Sequence, residues 1–174
     1  MANTYTAIST VTVGAGGAAN IEFTSIPQNF TDLLLFTSLR STDTETRWGS
    51  TRIRFNSNSG SVYDYIEVYG TGSVAASGGL SSDTSGSAAR NTPNGVTASV
   101  FSNGMTYITN YASSNNKSFS DDTVTENFGT AALSPLVANL FRSTSPITSL
   151  MIYPSGSFTF MQHSTATLYG IKNT

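Results

Sequence analysis

The residues that could carry out acid–base or nucleophilic chemistry are few. His163 is the only histidine, so a serine–histidine–acid triad would have to use it. With 27 serines in the chain, a serine close to His163 is expected by chance, and there is no G-x-S-x-G nucleophile elbow. We therefore expect His163 to be a packed or surface histidine rather than a catalytic base.

Asp121, Asp122 and Glu126 form the one local cluster of carboxylates in the sequence. On a β-strand Asp122 and Glu126 share a face and Asp121 points to the other, and paired carboxylates are what glycoside cleavage requires. An ion such as Ca²⁺ could use the same oxygens, or those of Asp43 and Glu45, but the D-x-D-x-D-G loop is missing. The sequence predicts no resident metal and no cofactor, and it leaves a glycan hydrolase as a minor hypothesis.

Charge and hydropathy disfavour two classes of partner. A net charge of -2 has the wrong sign for binding the phosphate backbone of DNA or RNA, so we expect no nucleic-acid partner. The longest aliphatic–aromatic run, residues 33–36, is far shorter than the roughly 20 apolar residues of a bilayer helix. Residues 1–4 lack both the basic head and the apolar stretch of a secretory signal, and there is no cysteine. We expect synthesis in a cytoplasm, no membrane partner and no disulfide.

Uncharged polar residues dominate the composition. Serine (27), threonine (26), glycine (15) and asparagine (14) weaken helices, whereas threonine and the aromatic residues suit strands. Apolar residues alternate with polar ones, and turn residues recur at short intervals. The sequence therefore predicts one all-β domain over residues 1–174, an antiparallel β-sandwich of jelly-roll-like type.

The alternation predicts about eleven strands. Residues 5–13 and 21–23, on either side of the glycine-rich turn at 14–17, should form a first hairpin. Residues 32–39 are apolar in both parities, which favours a central strand covered on both faces. A helix is expected only near residues 131–138, and Pro135 should limit its length to one or two turns. The remaining strands are expected at 52–55, 62–69, 96–101, 105–111, 118–128, 136–141, 147–153, 157–160 and 165–171.

Residues 71–93 interrupt this rhythm. They are mostly Gly, Ser, Ala and Thr, with Val74 and Leu80 as the sizeable apolar side chains. Connections longer than about 12–15 residues are uncommon in compact domains unless they are functional or disordered. We interpret this Gly/Ser-rich segment as a contact loop that packs against another chain; a surface insertion is the alternative.

Aromatic residues supply the other contact candidates. In residues 62–69 the tyrosines share one parity and the aliphatic residues the other, so an aliphatic core would turn the tyrosines outward. Tyrosine suits an interface because it joins a large apolar body to a polar tip. Packing of the tyrosines across a second sheet is the alternative. The candidate interface comprises Trp48, Tyr63, Tyr65, Tyr69, Val74, Leu80, Tyr107 and Tyr111.

Three segments, residues 21–41, 52–73 and 165–173, resemble small β-rich virion proteins of tailed bacteriophages, especially of phages that infect aquatic hosts such as cyanobacteria. The resemblance implies a jelly-roll-like fold, assembly as homotrimers and a place on the exterior of the particle. It carries over no catalytic or ligand residue.

Two function hypotheses follow, from different classes. The first is a non-enzymatic capsid decoration (cement) protein, made in the host cytoplasm, that contacts the major capsid protein or other virion proteins and bridges capsomers. The second is a lectin-like, receptor-binding module of a head or tail fibre, in which Trp48 and exposed tyrosines stack on host glycans.

Overall fold

The computed structural model describes residues 4–127 and 131–172. Within these ranges the chain forms β-strands and no helix. The strands are β1 (Tyr5–Thr12), β2 (Ile21–Phe23), β3 (Asp32–Ser38), β4 (Arg40–Ser41), β5 (Gly49–Phe55), β6 (Tyr63–Gly70), β7 (Ala75–Asp83), β8 (Gly86–Pro93), β9 (Asn103–Ile108), β10 (Lys117–Asn127), β11 (Ala131–Phe141), β12 (Leu150–Pro154) and β13 (Thr165–Ile171).

The strands form two sheets that pack face to face. One sheet has eight strands in the order β1-β13-β3-β9-β10-β11-β6-β7, and the other has five in the order β2-β12-β5-β8-β4. Neighbouring strands are antiparallel except for the short β4–β8 pair, which is parallel. The predicted all-β antiparallel sandwich is confirmed, while the jelly-roll type stays a prediction.

Alternation of side chains places the core between the sheets. In β10 and β11 buried and exposed residues alternate along most of the strand, as expected when one face of a sheet is covered. At one end of the sandwich four aromatic rings pack together, with Tyr63 stacked on Phe141 at 4.8 Å and Phe55 edge-on to Phe119 at 5.1 Å between centroids. Such offset and edge-on pairs add to the stabilisation that burial provides.

The other part of the interior is polar and is organised by β8, which is buried along its whole length. The side chain of Asn139 pairs with the backbone of Ser87: the Ser87 N–H donates to Oδ1 at 3.0 Å, and Nδ2 donates to the Ser87 carbonyl at 3.0 Å. Arg90 of the same strand donates to Ser50 Oγ at 2.8 Å and forms an ion pair with Glu67. These contacts join the two sheets through hydrogen bonds, because buried polar groups must find partners.

Small residues let β8 approach the larger sheet closely. A Cβ on Gly86 of β8 would lie 2.6 Å from a ring carbon of Phe119, and one on Gly104 of β9 would lie 3.1 Å from the Cβ of Ala89 in β8. Either substitution would force the sheets apart or displace a packed side chain.

The central position of β3 is confirmed, since it lies between β13 and β9. Leu33 and Leu35 on its inner side are fully buried, but Phe36 on the opposite side of the strand is 43% exposed, so this second side is only partly covered. The predicted first hairpin is wrong, because β1 pairs with β13 in one sheet and β2 pairs with β12 in the other.

The predicted helical turn at 131–138 is also wrong. These residues belong to β11, which is held between β10 and β6. Pro135 is accommodated because the pairing of β11 with β10 is interrupted at Ser134 and Pro135.

The strand predicted at residues 96–101 is absent, and these residues form turns and bends. The Arg40 guanidinium donates to the carbonyls of Thr97 and Val100 and holds the chain in a compact loop.

The Gly/Ser-rich segment 71–93 is not a single loop. It contains β7, an exposed edge strand, and β8, which lies inside the sandwich. The prediction failed for the second half because small side chains allow a polar strand to be ordered by its own chain.

Two further strand predictions differ from the structure in part. Residues 157–160 form no strand, only the isolated β-bridges made by Phe160. Residue 128 of the strand predicted at 118–128 lies outside the described residues.

The Asn139–Ser87 pair gives a stability prediction. Asn139→Leu keeps the side-chain size but leaves the N–H and C=O of Ser87 unpaired inside the protein, which should lower the free energy of unfolding by about 2–4 kcal/mol. Urea denaturation measures this. Asn103→Leu, at an exposed β9 position, is the control and should change the free energy by no more than about 0.5 kcal/mol. Equal effects of the two substitutions would contradict this role for Asn139.

Candidate functional site

Two of the predicted interface tyrosines lie in the core. Tyr63 is fully buried; its hydroxyl accepts from the Phe55 N–H at 2.9 Å, and burial raises its pKa to about 12. Tyr111 is fully buried and donates to the carbonyl of Pro27, and burial raises its pKa as well. Neither ring is accessible to a partner, so both are removed from the candidate interface.

The faces of β6 are the reverse of the expected ones. The tyrosines point inward, whereas Ile66 and Val68 are 69% and 58% exposed. The reason is the polar interior next to this strand, where Arg52 lies over the Tyr65 ring at 5.3 Å and Glu67 pairs with Arg90. A tyrosine can offer such a region a π-face and a hydroxyl, which isoleucine and valine cannot.

The exposed aliphatic residues continue onto the neighbouring strands. In the pairing register Val68 lies opposite Leu136, Leu136 opposite Asp122, Asp122 opposite Met105, and Met105 opposite Phe36. We call this surface the outer face and define it by its large exposed apolar residues, which are Phe36, Ile66, Val68, Met105, Val124 and Leu136.

The outer face is concave in its middle. A groove of about 510 Å³ runs across β6, β9, β10 and β11, and its walls include Ile66, Val68, Met105, Leu136 and Ala138. Contiguous apolar surface of this kind on a folded protein usually marks a contact with another macromolecule or a ligand. Sequence reasoning missed it because it assigned the aliphatic parity of β6 to the core.

Three other predicted residues meet in a separate pocket. Trp48 and Tyr69 are half-buried with ring centroids 6.0 Å apart, and Val74, which is 59% exposed, lies on the rim. Of the remaining candidates, Leu80 is exposed on β7, and the half-buried Tyr107 donates to Asp32 Oδ2 at 2.6 Å. The predicted residues thus do not form one surface.

The buried charged groups have partners within the chain. Asp121 accepts from Thr106 Oγ1 at 2.7 Å and from Thr123 Oγ1 at 2.6 Å, and its burial raises its pKa. Lys117 Nζ donates to the carbonyls of Ser143 and Ser145, and burial lowers its pKa. These contacts give both residues structural roles in the described part of the chain.

The carboxylates of the acidic cluster do not all lie on one face of β10. As predicted, Asp121 points inward and Asp122 is exposed on the opposite face, while Glu126 Oε1 accepts from the Thr97 N–H at 2.7 Å. His163 is exposed in a turn with φ of 72°. In residues 4–127 and 131–172 no group of three or more His, Asp or Glu side chains could hold a metal ion.

No family model matches this chain, and no curated protein matches it. Across the described ranges there is also no helix with the length and apolarity needed to span a bilayer.

The raised pKa of Asp121 predicts a pH effect on stability. The folded state holds this proton more tightly than the unfolded chain, so the contribution favours folding below the ordinary pKa of 3.8 and is lost as the pH rises through the folded-state value. As the pH rises above this ordinary value, wild type should therefore lose stability relative to Asp121→Asn.

Denaturant melts across this pH range test the effect. Ser118→Ala, at an exposed and uncharged position of the same strand, is the control and should follow the wild-type curve. A constant difference between wild type and Asp121→Asn at every pH would show that burial does not perturb this carboxyl.

Proposed function

We propose that this protein is a non-enzymatic structural protein of a tailed-phage virion, a trimeric capsid decoration protein that bridges neighbouring capsomers. The observation that carries the proposal is the outer face, where Val68, Leu136 and Ile66 expose more than half of their side chains at adjoining positions. A sheet face open to water normally carries polar residues, so an apolar one is suited to burial by a partner.

A second copy of this chain is the partner that best suits the outer face. Interfaces that are permanently buried between identical subunits are more apolar than transient ones. Asp122 lies between Leu136 and Met105 in the middle of this face, so a second copy that covers the face must pair its carboxylate with a donor or leave it hydrated. Copies joined in this way form a compact knob, and its many identical contacts to a shell add through avidity.

The interior supports a structural role. Hydrogen bonds between β8 and both sheets fix the sandwich as one rigid unit, and the buried Asp121, Arg90 and Lys117 contact structural partners. A rigid body with a preformed apolar face loses little conformational entropy when it assembles. The resemblance to phage virion proteins in residues 21–41, 52–73 and 165–173 supports the same proposal.

A charge placed on the outer face tests the proposal. Leu136→Asp puts an unpaired carboxylate into the contact between copies, so the trimer should dissociate to monomers and occupancy on phage particles should fall at least about tenfold. Light scattering after gel filtration measures the mass, and quantitative gels of purified particles measure the occupancy. Because Leu136 is exposed in the single chain, the melting temperature of the monomer should change little.

Thr12→Asp is the matched control, since Thr12 is an exposed strand residue at the far edge of the same sheet. It should assemble and bind particles like wild type. A monomeric wild-type protein that is absent from purified particles would overturn the proposal, as would Leu136→Asp protein that assembles normally.

A further inference from the structure

The dipeptide Asn-Gly occurs twice in the chain, at residues 94–95 and 103–104. Asparagine in this setting is chemically labile, because glycine has no Cβ to keep its backbone nitrogen away from the side-chain amide that precedes it. The nitrogen attacks Cγ, a C–N bond forms and closes a succinimide ring, and the side-chain nitrogen leaves as ammonia with the proton of the glycine N–H. Water then opens the ring and leaves a carboxylate, as aspartate or isoaspartate.

The first of these sites lies in an exposed turn that follows β8. Asn94 and Gly95 are both exposed to solvent, so water can reach a ring formed there. Among the residues that the structure describes, the Gly95 N–H has no hydrogen-bond acceptor. The attacking nitrogen is therefore free, and no strand pairing has to break before the ring can close.

The second site lies inside the eight-stranded sheet. Asn103 and Gly104 belong to β9, where Gly104 is buried and lies opposite Thr37 of β3 and Thr123 of β10. Ring closure needs a rotation of the backbone between the asparagine and the glycine, and hydrogen-bonded strands on both sides oppose it. Reaction at Asn103 therefore requires local opening of the sheet, which is rare in a central strand.

Arg40 lies directly beside the exposed dipeptide. Its guanidinium is buried, Nη1 donates to the carbonyls of Thr97 and Val100, and Nη2 donates to Asn94 Oδ1 at the long distance of 3.5 Å. Within residues 4–127 and 131–172 it forms no ion pair, so the acceptors of these hydrogen bonds are all neutral. Burial lowers the pKa of the guanidinium, and the charge of Glu126 offsets only part of this effect.

We propose that Asn94 deamidates spontaneously in the folded protein, that Asn103 is protected by the pairing of β9, and that the aspartate formed at position 94 becomes the ion-pair partner of Arg40. A carboxylate in place of the Asn94 amide changes a weak neutral contact into a charge-assisted hydrogen bond. It also supplies a counter-ion to a buried cation, whose burial is otherwise unfavourable. The change needs only water, so it accumulates with the age of the protein.

One proteolytic fragment reports on both sites. Trypsin cleaves after Arg90 and Lys117, so the peptide of residues 91–117 contains Asn94 and Asn103, and tandem mass spectrometry locates each modification. Wild-type protein is incubated in mildly alkaline buffer and sampled over time. We expect the folded protein to gain a carboxylate at Asn94 at least about tenfold faster than at Asn103. In urea, where the sheet is unfolded, the two rates should become similar.

Equal rates at the two sites in the folded protein would overturn the proposal, as would an unmodified Asn94 in folded protein whose unfolded chain reacts at both sites. A difference that persists in urea would also overturn it, because that difference would come from the local sequence. The Leu136→Asp variant separates this result from the assembly proposal. Its outer face stays open to solvent, and the difference between the two sites should remain, because the pairing of β9 within the chain is unchanged.

Asn94→Asp provides the aspartate product directly and tests its pairing with Arg40. Because the new carboxylate lies beside a buried cation, the urea midpoint of unfolding at neutral pH should be higher than that of freshly purified wild type. Asn103→Asp makes the same change at an exposed position of β9 and is the matched control, which should not raise the midpoint. An equal rise in both variants, or a midpoint for Asn94→Asp that does not rise, would contradict the pairing.

Discussion

A polar strand that is buried along its whole length needs hydrogen-bond partners inside the protein, and β8 imposes this requirement on both sheets. Asn139 from the larger sheet pairs with the Ser87 backbone, and Arg90 reaches both Ser50 and Glu67. These directional contacts fix how the sheets are placed on each other. Apolar contacts have little directional preference, so a purely apolar interior would allow more relative positions of the two sheets.

The same polar interior determines what the surface presents. Tyr65 and Glu67 occupy the inner face of β6, where Arg52 and Arg90 are their partners, and the alternation of the strand then turns Ile66 and Val68 to the outside. With Leu136 beside Val68, the result is a continuous apolar surface on one side of the eight-stranded sheet. The proposed assembly role therefore follows from the way the interior is packed.

The sequence predicted the fold class well, because alternation and turn residues are local signals. It located β13 at residues 165–171 and placed β3 centrally from its doubly apolar pattern. It failed where a distant partner decides the structure, as in the pairing of β1 with β13 and in the stretch at 96–101 held by Arg40.

The candidate site was predicted only in part, again because its placement depends on distant residues. Trp48, Tyr69 and Val74 do share a pocket, whereas Tyr63 and Tyr111 belong to the core, where their hydroxyl groups contact the backbone of Phe55 and Pro27. The outer face was missed because hydrophobicity alone assigns isoleucine and valine to a core in preference to tyrosine.

The most direct measurement of the proposed assembly is a cryo-electron microscopy reconstruction of purified phage particles that carry this protein. The account predicts threefold groups of this sandwich on the shell, with Val68 and Leu136 buried between copies; particles without it, or with that face open to solvent, would contradict it.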